Sequence, residues 1–352
     1  MSDTDDDDAP GWDAIDAALH PLYAGREPRH FGTILPSALG GNDPLQGVSA
    51  YRRDAPVPHW HFVTYGFSEL YAKENNDPQH SGFGFELTFR LADNNEDAPP
   101  MWALALLQNL ARYVFRTGNV FEHGHYMNLN GPIAHGRETA IRSIAFVREP
   151  ELLPQQTVNG GLEFLQVVGL TLDEESALKR WSADGLLALV TEVMPLCITD
   201  LHRQSVLLDG TRSARVAAGI ERDGSSTGSL FIGRLSWVRR KRYLRTSTTE
   251  VCIGAGQVAD LVALLPSRLP FGRALSVSGS EARIDFHAAQ RNHVVDGDHL
   301  ELHLDVAAVR EIAETLKATV GVYSIQALPG LSFRVLLTEI KDAEGQIVHT
   351  IG

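Results

Sequence analysis

The segment Phe83–Leu91 constrains the fold more than any other part of the sequence, because apolar and polar side chains alternate along it. Successive side chains of a β-strand point to opposite faces, so the alternation predicts a strand with one apolar face. The apolar face carries Phe83, Phe85, Leu87, Phe89 and Leu91. The opposite face carries Glu86, Thr88 and Arg90.

Segments on both sides of this strand predict a mixture of strands and helices. His59–Tyr65 is rich in aromatic and β-branched residues, which is typical of a strand. Apolar residues recur at helical spacing over 12–23, and they form one stripe over 101–116, directly after Pro100. Both of these segments are therefore predicted to be helices.

The remaining predicted strands and helices do not alternate regularly as βαβ units. We predict strands near 140–148, 162–170, 196–200, 229–237, 243–253, 273–278, 282–287, 293–295, 299–304, 321–326 and 332–340. We predict helices at 211–221 and 256–265, a helix capped by Asp173 that runs to 190, and a helix capped by Asp305 that runs to 318. This order predicts an α+β fold class with two mixed α/β-sandwich-like domains.

The length of 352 residues indicates about two domains, since one domain commonly takes ~150 residues. The best linker is the polar segment Arg222–Gly228, which contains small residues and no apolar anchor. We therefore expect domains over 11–223 and 229–352, joined by a short polar linker at 224–228. Residues 1–10 are predicted to be a disordered acidic tail.

Charge and composition exclude several classes of partner. The chain has 31 basic and 44 acidic residues and a net charge of −13, which repels nucleic acid and anionic membranes. The basic run at 239–245 is interpreted as a solvated loop and strand start. No apolar run reaches the ~18–20 residues of a membrane span, and the acidic N-terminus is unlike a signal peptide. With Cys197 and Cys252 as its two thiols, we expect a cytoplasmic protein that binds neither nucleic acid nor membrane.

Motifs for catalysis or cofactor binding are absent from the sequence. Neither the strict G-x-G-x-x-G pattern after a strand nor the P-loop pattern G-x-x-x-x-G-K-S/T occurs. The segment Gly224–Gly228 matches G-x-S-x-G, but a nucleophile elbow needs a buried strand before it and a helix after it. Since a strand is predicted after this segment, we interpret it as linker and assign no catalytic residue and no cofactor.

Histidines leave one alternative open. His59 and His61 share one face of a predicted strand, whereas His123 and His125 lie in a loop with His135 further along. A zinc site requires three or four converging ligands, and each group supplies at most two or three. The alternative hypothesis is a metal-binding protein or a metal-assisted hydrolase that uses these clustered histidines.

Four aromatic-rich motifs carry a resemblance to a known family. They are Pro58–Tyr71 (PHWHFVTYGFSELY), Ser81–Leu91 (SGFGFELTFRL), Ala98–Trp102 (APPMW) and Leu110–Phe115 (LARYVF). Weaker similarities follow at 164–169, 198–201 and 219–225. Several long motifs in register are more specific than one short pattern, and over 58–225 the chain resembles the Suppressor of fused family.

The resemblance implies a non-catalytic, two-domain clamp that holds a partner protein and needs no metal or cofactor. An extended segment of the partner lies in the cleft between the domains as an added strand, a mode in which main-chain hydrogen bonds give affinity and side-chain pockets give selectivity. Tyr71 matches a tyrosine of the family that contacts the partner. Asp77 is the nearest counterpart of a contacting aspartate, although it lies four residues before Ser81 and the animal pattern has three.

The C-terminal half implies a more specific function within the family. It lacks the long acidic insertion of the animal proteins, and this compact form resembles bacterial members, which implies an immunity protein that neutralises a cognate toxin. The expected partner is then a toxin domain, not the Gli-type transcription factors that the animal proteins hold in the cytoplasm. An acidic surface would suit a basic toxin by charge complementarity.

Overall fold

The computed structural model describes residues 8–33, 40–93, 97–240, 247–341 and 346–352. Most of the predicted acidic tail and part of the predicted basic run lie outside the described residues. The chain forms two compact units, and both mix helices with sheets, which confirms the predicted α+β class. The first unit comprises the described residues of Met1–Glu175 and Ala188–Val206, and the second those of Ser176–Leu187 and Leu207–Gly352.

The described residues form the following elements. The helices are α1 (Pro10–Tyr23), α2 (Met101–Thr117), α3 (Leu172–Arg180), α4 (Ala183–Thr191), α5 (Gly210–Asp223), α6 (Val258–Arg268) and α7 (Val306–Thr315). The strands of the first unit are β1 (Arg29–Gly32), β2 (Gly47–Arg53), β3 (His59–Tyr65), β4 (His80–Ala92), β5 (Tyr126–Asn128), β6 (Ile141–Arg148), β7 (Gln155–Thr157) and β8 (Gly160–Thr171). Those of the second unit are β9 (Ser229–Phe231), β10 (Leu235–Arg240), β11 (Thr248–Gly254), β12 (Leu275–Ser278), β13 (Arg283–Ala288), β14 (His293–Asp296), β15 (Leu300–Leu304), β16 (Gly321–Ile325), β17 (Leu331–Leu336), β18 (Thr338–Lys341) and β19 (Ile347–Ile351).

The sheet of the first unit has the strand order β1-β2-β3-β4-β8-β6-β5, and β7 pairs with β8. One core cluster combines the apolar face of β3 and β4 with α2, for example Phe62 and Phe89 with Leu107. A second cluster combines Val63 on the opposite face with residues of α1 such as Leu19. Because helices pack on both faces of the sheet, β3 is buried along its whole length and β4 is buried over residues 84–91, including its polar side chains.

A charge network centred on a fully buried arginine lies on the polar face of β4. Arg90 is 0% exposed, and its guanidinium donates hydrogen bonds to Glu149, to Gln166 Oε1 (3.2 Å) and to His59 Nε2 (3.2 Å). Its Nη2 also lies 2.8 Å from a carboxylate oxygen of Glu151. A buried charge is tolerated only when it is paired and hydrogen-bonded, so this network fixes how β3, β4 and β8 join the segment that follows β6.

The predicted strand at 196–200 is wrong. Residues Pro195–Cys197 form a 3-10 turn, and Thr199 forms an isolated bridge with Leu91. Leu196 and Cys197 have φ angles of 53° and 52°. These left-handed values are incompatible with an extended strand.

The predicted helix from Asp173 to 190 divides into α3 and α4. Ser182 lies between them, and its hydroxyl oxygen accepts the backbone N–H of Gly185 (2.9 Å), which begins a new helix. Asp173 is not the cap, because α3 already begins at Leu172. Asp173 instead lies in the first turn, where a carboxylate stabilises a helix through the helix dipole.

The second unit contains two larger sheets around one core. Their strand orders are β10-β11-β17-β16 and β14-β15-β13-β12-β9, and β18 pairs with β19. The core combines both sheets with α6 and α7 through side chains such as Leu264, Phe286, Ile312 and Phe333. Asp305 caps α7 as predicted, since its carboxylate accepts the backbone N–H of Ala308 (2.8 Å). Among the described residues, no helix combines the length and the apolar character that crossing a bilayer requires.

The segment 224–228, predicted to be a polar linker, lies within the second unit. Ser225 is 0% exposed; its hydroxyl donates to the carbonyl of Lys179, and its carbonyl accepts from Arg268 (2.8 Å) and Arg273 (3.0 Å). The compact units therefore differ from the predicted domains, because the second unit also takes in residues 176–187 and 207–223. Polarity without apolar anchors indicated a linker, but here the polar groups satisfy one another in a packed turn.

We expect Arg90→Met to lower the free energy of unfolding by about 3–5 kcal/mol, because Glu149 would remain buried without its charge partner. Arg112 provides a matched control, since its pair with Asp43 is exposed on both sides and should contribute at most about 1 kcal/mol. Urea unfolding of Arg90→Met and Arg112→Met measures the difference. Equal losses for the two variants would contradict the importance of the buried network.

Candidate functional site

The loop that joins β3 to β4, residues 66–79, carries both residues assigned to partner binding, and it belongs wholly to the first unit. The buried carboxylate of Glu86 holds its start, accepting the backbone N–H of Gly66 (2.9 Å) and Ser68 (2.9 Å) and the hydroxyl of Thr64 (2.6 Å). Burial raises the pKa of Glu86 above its ordinary value, although these hydrogen bonds oppose the shift. The loop is thus anchored to the interior of the sheet.

A second carboxylate, that of Glu69, closes the middle of the loop. Its Oε1 accepts the backbone N–H of Glu74 (2.7 Å) and Asn75 (2.6 Å), and Lys73 Nζ lies 3.3 Å from its Oε2. Burial acts to raise the pKa of Glu69, but the backbone hydrogen bonds from Asn75 and Glu74 outweigh it, so the pKa lies below its ordinary value. Because these bonds favour the charged form, the ionised carboxylate organises this turn.

Asp77 lies exposed near the end of the same loop. One of its carboxylate oxygens accepts the backbone N–H of Gln79 (2.8 Å), and the other lies 2.9 Å from Nδ1 of His80. This hydrogen bond from His80 lowers the pKa of Asp77. The structure therefore gives Asp77 a role in shaping its own turn, and partner contact by Asp77 stays a prediction.

Tyr71 presents its ring to solvent. Its side chain is 53% exposed, it stacks on no described aromatic ring, and its hydroxyl donates to no described residue. The backbone beneath it is held, because the amide side chain of Asn159 donates to the carbonyl oxygens of Tyr71 (2.8 Å) and Glu69 (3.2 Å). A fixed backbone that carries an exposed aromatic ring is typical of an anchor for another molecule.

The tip of the β7–β8 hairpin lies against this loop through Asn159. Val158, at its tip, is 85% exposed, whereas the adjacent Asn159 is buried against the Tyr71 loop. The hairpin packs closely because Gly160 has a φ of 110° and a Cβ there would lie 2.7 Å from the backbone of His80. The sequence did not single out Val158; the available signal was a β-branched residue next to Asn-Gly-Gly, where a polar turn residue is usual.

A cavity of about 440 Å³ opens next to Tyr71. Its aromatic part comes from Phe67, Phe83 and Phe115; the rings of Phe83 and Phe115 lie 4.9 Å apart, and Phe115 is 43% exposed. Glu69 and Glu74 add polar groups to the lining. The cavity and the exposed ring of Tyr71 together form a surface, which we call the Tyr71 surface, that suits an apolar side chain of another molecule.

The histidines of the metal hypothesis do not converge. His59 Nδ1 lies 2.7 Å from the carbonyl of Val57, and His61 Nδ1 lies 2.7 Å from the hydroxyl of Tyr23. Burial lowers the pKa of His59 to about 4 and that of His61 well below its ordinary value, so both are neutral packing groups. His123 and His125 accept backbone N–H groups elsewhere in the unit. Across the part of the chain that the structure describes, no group of three or more His, Cys, Asp or Glu could hold a metal ion.

Comparisons with known proteins agree with the motifs. A family model described as Suppressor of fused protein (SUFU) matches residues 41–204, which contain the Tyr71 surface. The curated Suppressor of fused homolog of Homo sapiens is 35% identical over 264 residues, which is 69% of this chain and 54% of the human protein. The homolog of Mus musculus is 34% identical over the same length. The chain thus spans about half the length of the curated relatives it matches.

Two solved structures extend this similarity. The crystal structure of Drosophila Suppressor of Fused matches 93% of this chain and 97% of its own, with a TM-score of 0.76 and 20% identity, so it shows the fold. A chain in the crystal structure of the Sufu-Fu complex is 30% identical, with a TM-score of 0.55. That alignment covers 59% of this chain and 98% of the other.

We expect Glu69→Gln to loosen the loop, because a neutral amide accepts the two backbone hydrogen bonds more weakly than a carboxylate. A hydrogen bond to a charged group contributes roughly 1.5–3 kcal/mol, so the exchange protection of the Glu74 and Asn75 amides should fall at least about tenfold. Since the folded-state pKa of Glu69 is depressed, its stabilisation is present above the ordinary value of 4.5 and is lost as pH falls through the folded value. Amide hydrogen exchange of both proteins across this pH range measures the effect.

Glu74→Gln is the control, because the Glu74 side chain is exposed and closes no turn in the described residues. If the hydrogen-exchange protection of these amides were unchanged in Glu69→Gln, or fell equally in Glu74→Gln, then Glu69 would not organise the loop.

Proposed function

Since this chain belongs to the Suppressor of fused family, we propose that it is a binding protein that holds a segment of a partner protein on the Tyr71 surface. The observation that carries this proposal is the exposure of Tyr71 on a loop whose backbone is fixed from below. Leaving a large aromatic ring in water forgoes the stabilisation that its burial would give, about 1.5–3 kcal/mol for a large apolar side chain. A partner that covers the ring recovers this free energy on binding.

Preorganisation of the loop supports the same proposal. The carboxylates of Glu86 and Glu69 and the amide of Asn159 together hold the backbone on both sides of Tyr71. Ordering a mobile loop on association reduces affinity, so a loop that is already ordered binds with a smaller entropic cost. The cavity beside Tyr71 then offers a pocket for one apolar side chain of the partner.

A family relative favours a protein as the ligand, because one of the similar structures is that of the Sufu-Fu complex. For the finer function we propose an immunity protein that neutralises a toxin domain. Its support is the net charge of −13, which would attract a basic toxin and accelerate the encounter. A non-catalytic mechanism, a cytoplasmic location, and a clamp whose two domains both contact the partner remain parts of this proposal.

The test uses the protein encoded next to this chain as the candidate partner. We expect the two purified proteins to form a complex, and Tyr71→Ala to weaken it by at least about 2 kcal/mol, as removal of an aromatic hot spot does. Tyr71→Phe should retain most of the affinity, because the ring remains. Isothermal titration calorimetry gives the dissociation constants, and thermal unfolding should show changes within about 0.5 kcal/mol for these exposed sites.

Two valines of the first unit provide a matched pair for the same measurement. Val158 lies at the exposed tip of the β7–β8 hairpin, next to Asn159, whereas Val193 is 47% exposed and follows α4. Val158→Ala should weaken the complex and Val193→Ala should leave it unchanged. Wild-type affinity in folded Tyr71→Ala would overturn the proposed surface, and failure of the two wild-type proteins to associate would overturn the immunity proposal.

A further inference from the structure

Two tryptophans of the family motifs, Trp60 in β3 and Trp102 in α2, have buried indole N–H groups that find no hydrogen-bond partner among the described residues. Trp60 is 4% exposed, and Nε1 of each side chain is shielded from bulk solvent. Most buried polar groups of folded proteins are hydrogen-bonded, so each exception requires an explanation such as an ordered water or an ion. A buried N–H that stayed unsatisfied would shift the folding equilibrium toward the unfolded state by roughly tenfold or more.

Packing holds both indole rings in place. The ring of Trp102 meets that of Phe89 edge-on, with 5.9 Å between the centroids, and Trp102 packs against the core cluster to which Trp60 belongs. The guanidinium carbon of Arg29 lies 5.7 Å from the ring centroid of Trp60. Turning either ring toward a protein acceptor would disrupt this packing, which protein interiors tolerate poorly. The partner of the two N–H groups is therefore a molecule that comes to them.

Both tryptophans line one small cavity of the first unit. It leaves about 10 Å³ for the centre of a water molecule, which is room for a single water. The cavity lies where the end of β4, at Leu91 and Ala92, meets Pro100 at the start of α2. It shares no lining residue with the cavity beside Tyr71, so it is a separate site.

The carboxylate of Asp93, the residue after β4, adds an acceptor to the same wall. Its side chain is 1% exposed, and its Oδ2 lies 2.8 Å from Nη2 of Arg52, whose side chain is 43% exposed. A carboxylate offers about four lone-pair sites, so this ion pair leaves capacity for a further donor. Arg137 also lines the cavity and already has a bonding partner.

This combination of donors and acceptor selects the kind of molecule that the cavity suits. An anion could accept from the indoles, but it would lie beside the buried carboxylate of Asp93, and like charges repel strongly where solvent is excluded. A cation could pair with Asp93, but it would leave both indole donors unsatisfied. A water molecule fits every wall, because its oxygen accepts two N–H groups while its own O–H groups donate to a carboxylate.

We propose that this cavity binds one structural water, which accepts hydrogen bonds from the indoles of Trp60 and Trp102 and donates one to Asp93. The water joins β3, the end of β4 and the first turn of α2. Tryptophan at these two motif positions then supplies an N–H donor as well as an apolar ring, which phenylalanine would not. The proposal does not depend on the function proposed for the Tyr71 surface, because the two cavities share no lining residue.

The experiment measures magnetisation transfer from water to the indole N–H groups in ¹H–¹⁵N spectra of the full chain. We expect a long-lived water at both Trp60 and Trp102, seen as nuclear Overhauser effects of opposite sign in the laboratory and rotating frames. Trp60→Phe and Trp102→Phe assign the two resonances by their loss. Trp181 is the internal control without such transfer, because its N–H donates to the Asp223 carboxylate (3.0 Å).

Asp93→Leu removes the acceptor, so the transfer should fall at least about tenfold at both indoles together, as loss of a hydrogen bond to a charged group implies. Asp43→Leu is the matched control, because Asp43 pairs with Arg112 on the surface and should leave the transfer unchanged. Asp93→Asn keeps an acceptor oxygen of similar shape and should retain the transfer, which tests the site even where Asp93→Leu does not fold.

Crystals grown with bromide in place of chloride distinguish water from an anion. We expect density for a water within hydrogen-bond distance of both Nε1 atoms and no anomalous signal in the cavity. A bromide peak there, no long-lived water at either wild-type indole, or loss of transfer at only one indole in Asp93→Leu would overturn the proposal.

Discussion

The buried polar face of β4 is the constraint on which the first unit depends. Arg90 on this face is held by Glu149, Gln166 and His59, so three strands and a following segment are fixed to one another through a single guanidinium. Glu86 lies on the same face and anchors the loop that presents Tyr71. One strand face therefore both secures the interior of the sheet and positions the candidate binding surface.

The Tyr71 surface follows from a contrast between a rigid backbone and an exposed side chain. Most large aromatic side chains of the neighbouring motifs, such as Trp60, Phe62 and Phe67, are buried in the core. Tyr71 instead projects from a loop closed by charged hydrogen bonds, next to a cavity that is partly lined by phenylalanines. This combination would give the proposed partner an apolar anchor with little ordering cost.

Local sequence patterns predicted helices and a helix cap correctly where the signal came from residues close together in the chain. Helical periodicity placed α1 and α2, and Asp305 was correctly assigned as a cap, because these signals lie within a few residues of one another. The prediction at 196–200 failed, since Leu196 and Cys197 take left-handed backbone angles that their side chains do not signal. The segment 224–228 was interpreted as a linker because composition cannot show that Ser225 finds buried partners far along the chain.

The sequence by itself determined the family, the α+β class and the position of Tyr71 in the loop that follows a strand, because these depend on residue order and short-range periodicity. Tertiary structure decided that α1 packs against side chains of β2, β3 and β8, that His59 and His61 are neutral packing groups, and that Asn159 lies against the Tyr71 loop. The last depends on Asn159 reaching back 88 residues to the carbonyl of Tyr71. Contacts over such separations arise only when the sheet has brought distant strands together, and no local pattern encodes them.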